Sequence, residues 1–451
     1  MTTVDPSIFK AYDIRGVYPT QIDADLVYRI AQAYVEFLKP KVVAVGHDMR
    51  LSGVEFKEAL TRGLSEAGVD VIDLGLISTD QMYFAVADLG LDGGLMATAS
   101  HNPKEFGGLK LVKAKAAPIS GDSGIYQIRD LVIKHSDPIM AEKRGAIEKK
   151  DIQDAYFEHV LKNFDLKKIK PLRVVAHANF GMANVAIERL RSILPIQFVK
   201  VIDDHLDGNF PKGPSDPLLP SNRVEASAAI RELGADLGVA WDGDADRCFF
   251  FDEKGDFVTA AYINALLSAF YLKRYPGGKV LHDTRVVRVI DQAIAENGGV
   301  AIMNKAGHSF IKERMIKEDA VFGTETSGHY YFKDNFYLDN GLMPFLAILE
   351  IISGANKPFS EILQPLKDKF AISEEINFEF ENPDILELIK SKYQDAQIGQ
   401  IDGYDFNYPE WRFNVRTSNT QNLLRINLEA SSPALLAEKT KEVTDLIEAN
   451  K

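Results

Sequence analysis

The chain has 451 residues, of which 46% are apolar and 26% are charged, and its formal net charge is -13. At about 100–200 residues per domain, this length predicts three or four domains, and the composition is that of a globular protein. The acidic balance argues against general nucleic-acid binding, which requires a basic surface. The single cysteine, Cys248, excludes a disulfide framework and a thiolate metal cluster. With no recognisable leader and no apolar run near the ~18 residues of a membrane span, we expect a cytoplasmic protein without membrane contact.

Strands and helices alternate in the first third of the chain. The apolar spacing predicts, in order, a strand at 41–45, a helix from Phe56 to Gly68, a strand at 69–74, a helix at 81–89 and a strand ending at 97. Ser52 and Glu55 form a capping-box pattern ahead of the first helix. This alternation indicates a mostly parallel sheet covered on both faces, which places ligand groups at the carboxyl ends of its strands.

The residues Thr98-Ala99-Ser100-His101-Asn102-Pro103 follow the last of these strands directly. A small hydroxyl residue beside His, Asn and Pro indicates a rigid loop that holds Ser100 outward at a strand end. The same residue types are common in ordinary turns, so this loop alone would predict only a polar turn. Three further polar loops change that interpretation, because each supplies a complementary chemical group.

The second region, from about residue 149, repeats the alternation. It predicts a strand at 172–176, a helix through Ile187, Leu190 and Leu194, a polar loop at 203–220, a helix at 222–233 and a strand at 237–241. The last strand runs directly into Asp242-Gly243-Asp244-Ala245-Asp246-Arg247. Three close carboxylates repel one another unless a cation neutralises them, and oxygen ligands alone suit Mg²⁺ or Ca²⁺.

Two competing interpretations of the aspartate loop are an EF-hand loop and a solvated acidic turn. Glu253, eleven residues after Asp242, matches the position of the last ligand in an EF-hand loop. Such a loop needs glycine at its sixth position, however, and this chain has Arg247 there. Its flanks also differ, because the residues 248–251 predict a strand rather than a helix. A metal loop is favoured over both, and an oxygen of Ser100 would complete the Mg²⁺ shell.

The third region ends in a glycine-bounded polar loop. It predicts a helix at 260–273, a strand at 279–283, a further helix, a strand at 300–304, a helix from Ser309 and a strand at 320–322. Glu325, Ser327 and His329 then offer acceptors and donors for vicinal sugar hydroxyls, although a glycine turn with a structural histidine explains them equally well. Gly307-His308-Ser309 could place an imidazole nearby, but a lone histidine is more often structural.

After the third region the pattern changes to that of a smaller α+β domain. Residues 372–380 alternate apolar and polar, which predicts a half-exposed strand, and helices are predicted at 383–393 and from Pro433. The loop from Arg416 to Arg425 concentrates hydrogen-bond donors in an acidic protein. Because arginine recognises phosphate in a planar, bidentate way, this loop favours a phosphate site over a solvated hairpin.

Changes in charge and rhythm divide the chain into predicted domains. The four predicted domains are 1–148, 149–252, 253–367 and 368–451. The first three share one strand–helix rhythm, which indicates an internal structural repeat.

The four polar loops, in this order, resemble those of the α-D-phosphohexomutase superfamily, most closely its phosphomannomutase/phosphoglucomutase group. The resemblance extends from Tyr12-Asp13-Ile14-Arg15-Gly16 to Arg425, and the serine loop together with the Asp-Gly-Asp-Ala-Asp-Arg loop is its most specific part. It implies an α/β fold, with three related α/β domains that have mixed, mostly parallel sheets and a C-terminal α+β domain around a central cleft. It also implies an isomerase that carries a phosphoryl group on Ser100.

The reaction implied by the resemblance is a reversible intramolecular phosphoryl transfer. It interconverts hexose 1-phosphate and hexose 6-phosphate, of mannose, glucose or both, through a hexose 1,6-bisphosphate intermediate. Mg²⁺ is the implied cofactor, with glucose 1,6-bisphosphate or mannose 1,6-bisphosphate as activator. The expected partners are small hexose phosphates, and the chain is expected to be a monomer or a weak homodimer.

The resemblance also assigns roles to individual residues. Mg²⁺ would be held by Ser100, Asp242, Asp244 and Asp246. The residues implied in catalysis are Ser100, Lys110, Arg247 and His308, with Lys110 and His308 as candidate proton carriers. Substrate binding is implied for Tyr12, Arg15, Arg285, Gly307, Glu325, Ser327, His329, Arg416, Ser418, Asn419, Thr420 and Arg425. Stabilising charge on the transferring group is the main requirement of phosphoryl transfer, and Arg247 with the metal would meet it.

The sequence departs from the family pattern at two positions, neither of which has an implied chemical role. Asn422 stands where the family usually has proline, and His177 begins a turn that more often starts with aspartate. Glu325-Thr326-Ser327, followed by Tyr330, favours the mannose and glucose group over phosphoglucosamine mutases.

Two functions of a different class compete with a mutase. The first is a sugar-phosphate-binding protein without turnover, against which the intact Ser100 and the complete aspartate triplet argue. The second is a metal phosphatase, which would need water to reach the phosphoserine.

Overall fold

The computed structural model describes residues 4–134, 137–417 and 423–450. The chain forms two compact units, which contain residues 1–257 with 331–354 and residues 258–330 with 355–451. Within the described part, no helix combines the length and apolar character needed to cross a bilayer.

The N-terminal part of the first unit is a mixed sheet with covering helices. Its elements are β1 (Ile14–Val17), α1 (Ala24–Leu38), β2 (Val42–His47), α2 (Gly53–Glu66), β3 (Asp70–Leu76), α3 (Thr79–Asp88), β4 (Gly93–Ala97), β5 (Phe106–Lys113), β6 (Ala117–Pro118), α4 (Tyr126–Lys134) and β7 (Ile147–Lys149). The strand order is β1-β5-β4-β2-β3-β7, in which β4, β2, β3 and β7 are parallel and β5 is antiparallel to its neighbours. Because parallel strands end at one edge, the loops after β2, β3 and β4 lie side by side.

A second sheet of the first unit carries the aspartate loop. The elements that follow are α5 (Gln153–Leu161), β8 (Arg173–His177), α6 (Ala183–Arg191), β9 (Gln197–Ile202), α7 (Pro220–Leu233), β10 (Leu237–Trp241), β11 (Cys248–Phe251) and β12 (Phe257–Val258). Strands β10, β8 and β9 are parallel, and β11 returns antiparallel to β10. All residues of β10 and β11 are buried, so the polar residues 242–247 can only form the turn between them.

The next region contributes three parallel strands to the second unit, while its residues 331–354 belong to the first unit. Its elements are α8 (Ala260–Arg274), β13 (Lys279–Asp283), α9 (Arg288–Glu296), β14 (Val300–Asn304), α10 (His308–Glu318), β15 (Phe322–Thr324), β16 (Tyr330–Phe332), β17 (Leu338–Asp339), α11 (Met343–Ala355) and α12 (Phe359–Lys369). Strands β14, β13 and β15 are parallel neighbours. The loops after β13, β14 and β15 therefore share one edge, as in the first sheet.

The C-terminal region of the second unit is an antiparallel sheet with two helices. Its elements are β18 (Ala371–Ile372), β19 (Ile376–Glu379), α13 (Ile385–Lys392), β20 (Gln397–Gly399), β21 (Tyr404–Asn407), β22 (Trp411–Thr417), β23 (Leu423–Ala430) and α14 (Pro433–Glu448). The order is β18-β23-β22-β21-β20, with β19 also paired to β23. Three sheets with parallel strands and this antiparallel α+β sheet confirm the predicted fold class.

Three local predictions are wrong. Ser52 precedes α2 with a helical backbone and makes no capping hydrogen bond, while Glu55 accepts one from Tyr18. An N-terminal capping contact occurs instead at α3, where Gln81 accepts a hydrogen bond from the Ser78 backbone N–H at 3.0 Å. The strand predicted at 372–380 is two short strands, and the strand predicted at 320–322 begins only at its last residue.

Candidate active site

Ser100 follows β4 with a left-handed backbone, at φ 51°. Its backbone N–H donates to Thr98 Oγ1 at 2.9 Å. Its hydroxyl oxygen lies 3.1 Å from His101 Nδ1 and donates to Asp242 Oδ2 at 3.3 Å. A non-glycine residue adopts this conformation only where its surroundings hold it. The serine loop thus directs a buried hydroxyl at the aspartate loop.

The three aspartates of the 242–247 turn are fully buried, and one carboxylate oxygen from each lies within 4.8 Å of the others. Arg247 closes the turn, because its backbone N–H donates to Asp242 Oδ1 at 3.1 Å and its Nε donates to Asp242 Oδ2 at 2.7 Å. The loop therefore presents three converging carboxylates, one of which is already paired with a guanidinium.

Lys110 lies on β5 and reaches the other two carboxylates. Its Nζ donates to Asp244 Oδ2 at 2.8 Å and to Asp246 Oδ2 at 2.5 Å, and Thr79 Oγ1 also donates to Asp244 Oδ2 at 2.6 Å. The second oxygen of Asp244 is buried and accepts no hydrogen bond from the described residues. Hard divalent cations prefer oxygen ligands. The cluster offers carboxylate oxygens, including the buried second oxygen of Asp244, so it can hold a metal ion.

The pKa shifts follow from burial and these pairs. Burial, reinforced by the neighbouring carboxylates, raises the pKa of Asp242 despite Arg247. Burial also opposes ionisation of Asp244, but the Lys110 ammonium, the Thr79 hydroxyl and the Arg247 guanidinium together outweigh it and keep the pKa of Asp244 well below its usual value. Burial alone would lower the pKa of Lys110, whereas Asp244 and Asp246 raise it well above its usual value. The ammonium thus neutralises part of the acidic cluster.

Arg15 lies beside the serine loop because β1 pairs with β5. Its guanidinium donates to Asp13 Oδ2 at 2.7 Å, to the Ala99 carbonyl at 3.4 Å and to the Asn102 side chain. Tyr12 lies just before β1. Arg15 therefore contacts the serine loop, as a substrate-binding role would require.

Three further residues, which no sequence motif assigned to the site, belong to it. Thr79 contacts an aspartate from the N-terminus of α3, and Arg50 donates to the Ser100 carbonyl at 2.6 Å. His101 is half-buried near Arg247 and Arg15, and its removal from solvent and these two guanidinium groups lower the pKa of His101 well below its usual value. A usable signal did exist for Arg50, since it follows a strand that ends at the same sheet edge as Ser100.

The second unit brings together most of the predicted sugar-binding residues. Arg285 donates to Asp283 Oδ2 at 2.9 Å and has Glu325 Oε1 and Ser327 Oγ each 3.4 Å from its Nη2. The Gly307 backbone N–H donates to Glu325 Oε1 at 2.7 Å. The loops after β13, β14 and β15 therefore meet in one polar cluster.

Two histidines border this cluster. Gly307 has φ 126°, a conformation that favours glycine, and it turns the chain into α10 so that His308 is the first helical residue. The backbone N–H of Glu325 donates to the carbonyl of His329 at 3.0 Å, which closes the 325–329 turn. The rings of His308 and His329 have centroids 6.1 Å apart. The structure thus places both imidazoles beside the proposed sugar-binding loop.

Arg416 and Arg425 are cross-strand partners on β22 and β23. Both contact Glu375, at 2.6 Å for Arg416 Nη2 and 3.4 Å for Arg425 Nη1. Burial and the nearby Arg285 guanidinium lower the pKa of Arg416, and the Glu375 carboxylate opposes them. The other predicted phosphate-binding residues, Ser418, Asn419 and Thr420, lie outside the described residues. The described arginines suit a phosphate dianion.

Known protein families and relatives match nearly the whole chain. Domains of phosphoglucomutase/phosphomannomutase match in order: alpha/beta/alpha domain I at 6–137, domain II at 154–255, domain III at 254–370 and the C-terminal domain at 375–446. A phosphomannomutase of Escherichia coli is 41% identical over 450 residues, which cover 97% of this chain and 98% of the relative. A protein of Xanthomonas campestris named "Phosphohexose mutases" is 41% identical over 443 residues, with the same coverage of both chains.

A solved structure shows the same architecture. A phosphoglucomutase/phosphomannomutase family protein of Burkholderia thailandensis aligns with a TM-score of 0.89 at 31% identity, over 99% of this chain and 98% of that one. Fold, site and relatives define an isomerase that moves a phosphoryl group within a hexose phosphate, a phosphohexomutase. Since all four of the family's domains are present in order, the chain belongs to the phosphoglucomutase/phosphomannomutase family.

Proposed function

We propose that this enzyme interconverts the 1-phosphates and 6-phosphates of mannose and glucose, with Ser100 as the phosphoryl carrier. The proposal rests on the position of the Ser100 hydroxyl, which lies 3.3 Å from Asp242 Oδ2 and next to a buried cluster of three carboxylates. The choice of sugars is supported by the names of the relatives, a phosphomannomutase of Escherichia coli and a phosphohexose mutase protein of Xanthomonas campestris.

The proposed reaction has two phosphoryl transfers. In the first, the bond between phosphorus and Ser100 Oγ breaks and the phosphoryl group bonds to the free sugar hydroxyl; the hydroxyl proton passes to a base, and Ser100 Oγ takes up a proton. In the second, Ser100 Oγ gives up its proton to a base and bonds to the other phosphate of the hexose 1,6-bisphosphate, the bond between that phosphorus and its sugar oxygen breaks, and this sugar oxygen takes up a proton. The net result moves the phosphate between positions 1 and 6 and regenerates the phosphoserine.

The first unit supplies the groups for the transfer itself. A Mg²⁺ ion held by Asp242, Asp244, Asp246 and the serine phosphate would withdraw charge from the transferring group. Arg247 adds a guanidinium that is already oriented by Asp242. Lys110 and, in the second unit, His308 are the proposed proton carriers.

Substrate recognition is proposed for the remaining site residues. Those proposed to bind sugar hydroxyls or line the site are Tyr12, Arg15, Arg285, Gly307, Glu325, Ser327 and His329. Those proposed to bind the non-reacting phosphate are Arg416, Ser418, Asn419, Thr420 and Arg425. The polarity supports this division, because the Glu325 cluster mixes donors with acceptors whereas the arginine pair is cationic.

The supporting conditions are also part of the proposal. Glucose 1,6-bisphosphate or mannose 1,6-bisphosphate would prime an enzyme that has lost its phosphoserine, because either one donates a phosphoryl group to Ser100. The proposed location is the cytoplasm, where small hexose phosphates would be its partners, and the proposed form is a monomer or a weak homodimer.

A coupled assay with Mg²⁺ and a trace of glucose 1,6-bisphosphate tests the proposal. We expect comparable turnover of mannose 1-phosphate and glucose 1-phosphate, whereas turnover of glucosamine 1-phosphate alone would reassign the substrate. Ser100→Ala should abolish turnover and keep sugar-phosphate binding. Ser65→Ala is the matched control, because its hydroxyl donates to the Gly145 carbonyl away from the site. Near-normal turnover by Ser100→Ala would refute the phosphoserine mechanism.

A further inference from the structure

The chain contains the same four-residue pattern at two strand ends. His47-Asp48-Met49-Arg50 lies at the end of β2, and His282-Asp283-Thr284-Arg285 lies at the end of β13. The local contacts repeat: histidine Nδ1 lies 2.7 Å and 2.8 Å from the carbonyl oxygen of the next aspartate. In both copies the arginine backbone N–H donates to Oδ1 of that aspartate at 2.9 Å. The backbone of the two patterns is therefore built alike.

The two guanidinium groups have different surroundings. Arg285 contacts the side chains of Asp283, Glu325 and Ser327, which are groups of the proposed sugar site. Arg50 contacts main-chain carbonyls of the serine loop and its continuation. Its hydrogen bonds reach the carbonyl oxygens of Ser100 (2.6 Å), Asn102 (2.6 Å), Pro103 (3.0 Å) and Phe106 (3.1 Å).

The serine loop needs such a support. Ser100 has φ 51°, so its conformation persists only where neighbouring groups hold it. Thr98 accepts the backbone N–H of Ser100, and Arg50 binds its carbonyl. Gly243 of the aspartate loop packs against the same carbonyl, since a Cβ built at this glycine would lie 2.9 Å from the carbonyl oxygen. The orientation of the Ser100 carbonyl therefore couples the serine loop to the aspartate loop.

We propose that Arg50 is a positioning residue for phosphoryl transfer, which fixes the left-handed turn that aims the Ser100 hydroxyl at the aspartates. This inference rests on the proposed role of Ser100 as phosphoryl carrier. Asp48 supports it by accepting the Arg50 backbone N–H and by carrying a carboxylate 3.6 Å from Arg50 Nε. One copy of the pattern is thus used to shape the loop, and the other to bind the substrate.

Arg50→Lys is the primary variant. The lysine ammonium keeps the positive charge, but its single nitrogen cannot donate to the four carbonyls that the guanidinium contacts. We expect kcat to fall about 100-fold with KM within about threefold of wild type, since a misplacement of about 1 Å costs this much in rate. Asp48→Asn, which keeps the shape and removes the charge, should show a smaller loss of kcat. The matched comparison is Arg285→Lys, for which the change should fall mainly on KM.

Two further measurements complete the test. Amide hydrogen exchange at residues 98–106 should be about tenfold faster in Arg50→Lys, and thermal unfolding should show that the variant is folded. Unchanged exchange, or a kcat within about threefold of wild type, would overturn the positioning role. If the proposed function itself were wrong, Ser100→Ala would retain turnover, whatever the behaviour of Arg50→Lys.

Discussion

At the residue scale, the function of each site residue depends on contacts that its neighbours in sequence do not supply. Ser100 is surrounded in sequence by ordinary turn residues, and the contact of its hydroxyl with Asp242 links it to the aspartate loop. Lys110 lies in an apolar strand and becomes part of the site because β5 brings its ammonium to Asp244 and Asp246. A local motif therefore predicts the type of chemistry, and the tertiary fold selects the residues that perform it.

Glu375 illustrates a contact that no motif predicted. Its carboxylate binds Arg416 and Arg425, the two described residues proposed to bind the non-reacting phosphate. A carboxylate offers these guanidinium groups the same bidentate partner that a phosphate does, so the two anions compete. We expect Glu375→Gln to lower KM several-fold and to strengthen inhibition by inorganic phosphate.

Steady-state kinetics with and without inorganic phosphate would measure both effects. Glu379→Gln is the matched control, because Glu379 is an exposed residue of the neighbouring strand β19. A KM that rises in Glu375→Gln would contradict the prediction and would show that the carboxylate orients the arginines for the substrate.

At the element scale, the accuracy of the sequence predictions follows the strength of the apolar pattern. The strands β10, β11, β13 and β14 have the predicted bounds. β10 and β11 are apolar runs between charged residues, whereas β13 and β14 each begin directly after a glycine. The strand predicted at 372–380 fails because the alternation continues through a break, where Ser373 bonds the backbone of Leu428. The acidic loop was predictable from its position after β10, whereas Thr79 and Arg50 were not assigned to the site because their contacts lie far away in sequence.

The N-terminus of α3 supports the aspartate loop through Thr79. The Thr79 hydroxyl donates to Asp244 Oδ2 at 2.6 Å, and its backbone N–H donates to the Asp244 carbonyl at 3.3 Å. A residue that orients a metal ligand typically contributes a factor of about 10–100 in metal affinity, and Asp244 is a proposed ligand of the metal. We therefore expect Thr79→Val to weaken Mg²⁺ binding about tenfold.

Isothermal titration calorimetry of the purified protein with Mg²⁺ measures this effect directly. Chelation of Mg²⁺ with EDTA should abolish turnover in both the wild type and Thr79→Val. Thr61→Val provides the control, because the Thr61 hydroxyl on α2 has no hydrogen-bond partner among the described residues. Equal Mg²⁺ affinity in Thr79→Val and Thr61→Val would rule out a supporting role for α3.

The contact between β13 and α9 predicts a pH dependence of stability. Burial alone would lower the pKa of His282, but its ion pair with Asp291, in which Nε2 lies 2.9 Å from Oδ1, and the carbonyl and carboxylate of Asp283 together outweigh burial and raise it. A raised folded-state pKa stabilises the fold below the unfolded value of about 6.5, and this contribution is lost as the pH rises through the folded value. Asp291→Asn should therefore destabilise the protein more at about pH 5.5 than at about pH 8.5.

Urea unfolding at the two pH values measures this difference, which we expect to be below about 1 kcal/mol because the Asp291 side chain is 44% exposed and screened by solvent. His282→Asn should remove the pH-dependent part. A larger loss at high pH would mean that the histidine is neutral in the folded protein.

At the scale of the whole molecule, the chain combines two compact units, each with its own buried polar network. In the first unit, Asp80 binds Tyr156 at 2.5 Å and Asn340 at 2.8 Å, which joins segments far apart in sequence. In the second, Arg412 binds Glu429 at 2.6 Å and the Thr284 carbonyl at 2.8 Å. The alternation of strands and helices in the sequence indicates repeated units, but it does not reveal these long-range networks. The predicted domain boundaries after residues 148, 252 and 367 therefore stay predictions.

The network around Arg412 ties the C-terminal sheet to the segment that carries Arg285. Glu429 accepts hydrogen bonds from Arg412 and from the backbone N–H of Val287 at 2.8 Å, and Asp405 binds the same guanidinium. Removing Arg412 would leave two buried carboxylates without their cation, which typically costs about 3–5 kcal/mol. We expect Arg412→Met to lower the stability of the second unit by this amount.

The two tryptophans make this loss measurable, because Trp241 lies in the first unit and Trp411 in the second. In a Trp241→Phe background, Trp411 fluorescence should report the full loss during urea unfolding. In a Trp411→Phe background, Trp241 fluorescence should report a smaller change, since Trp241 is held by the Gly341 carbonyl at 2.7 Å within the first unit. Equal shifts for both probes would show that the two units unfold as one, and no shift for either would show that the buried ion network does not stabilise the protein.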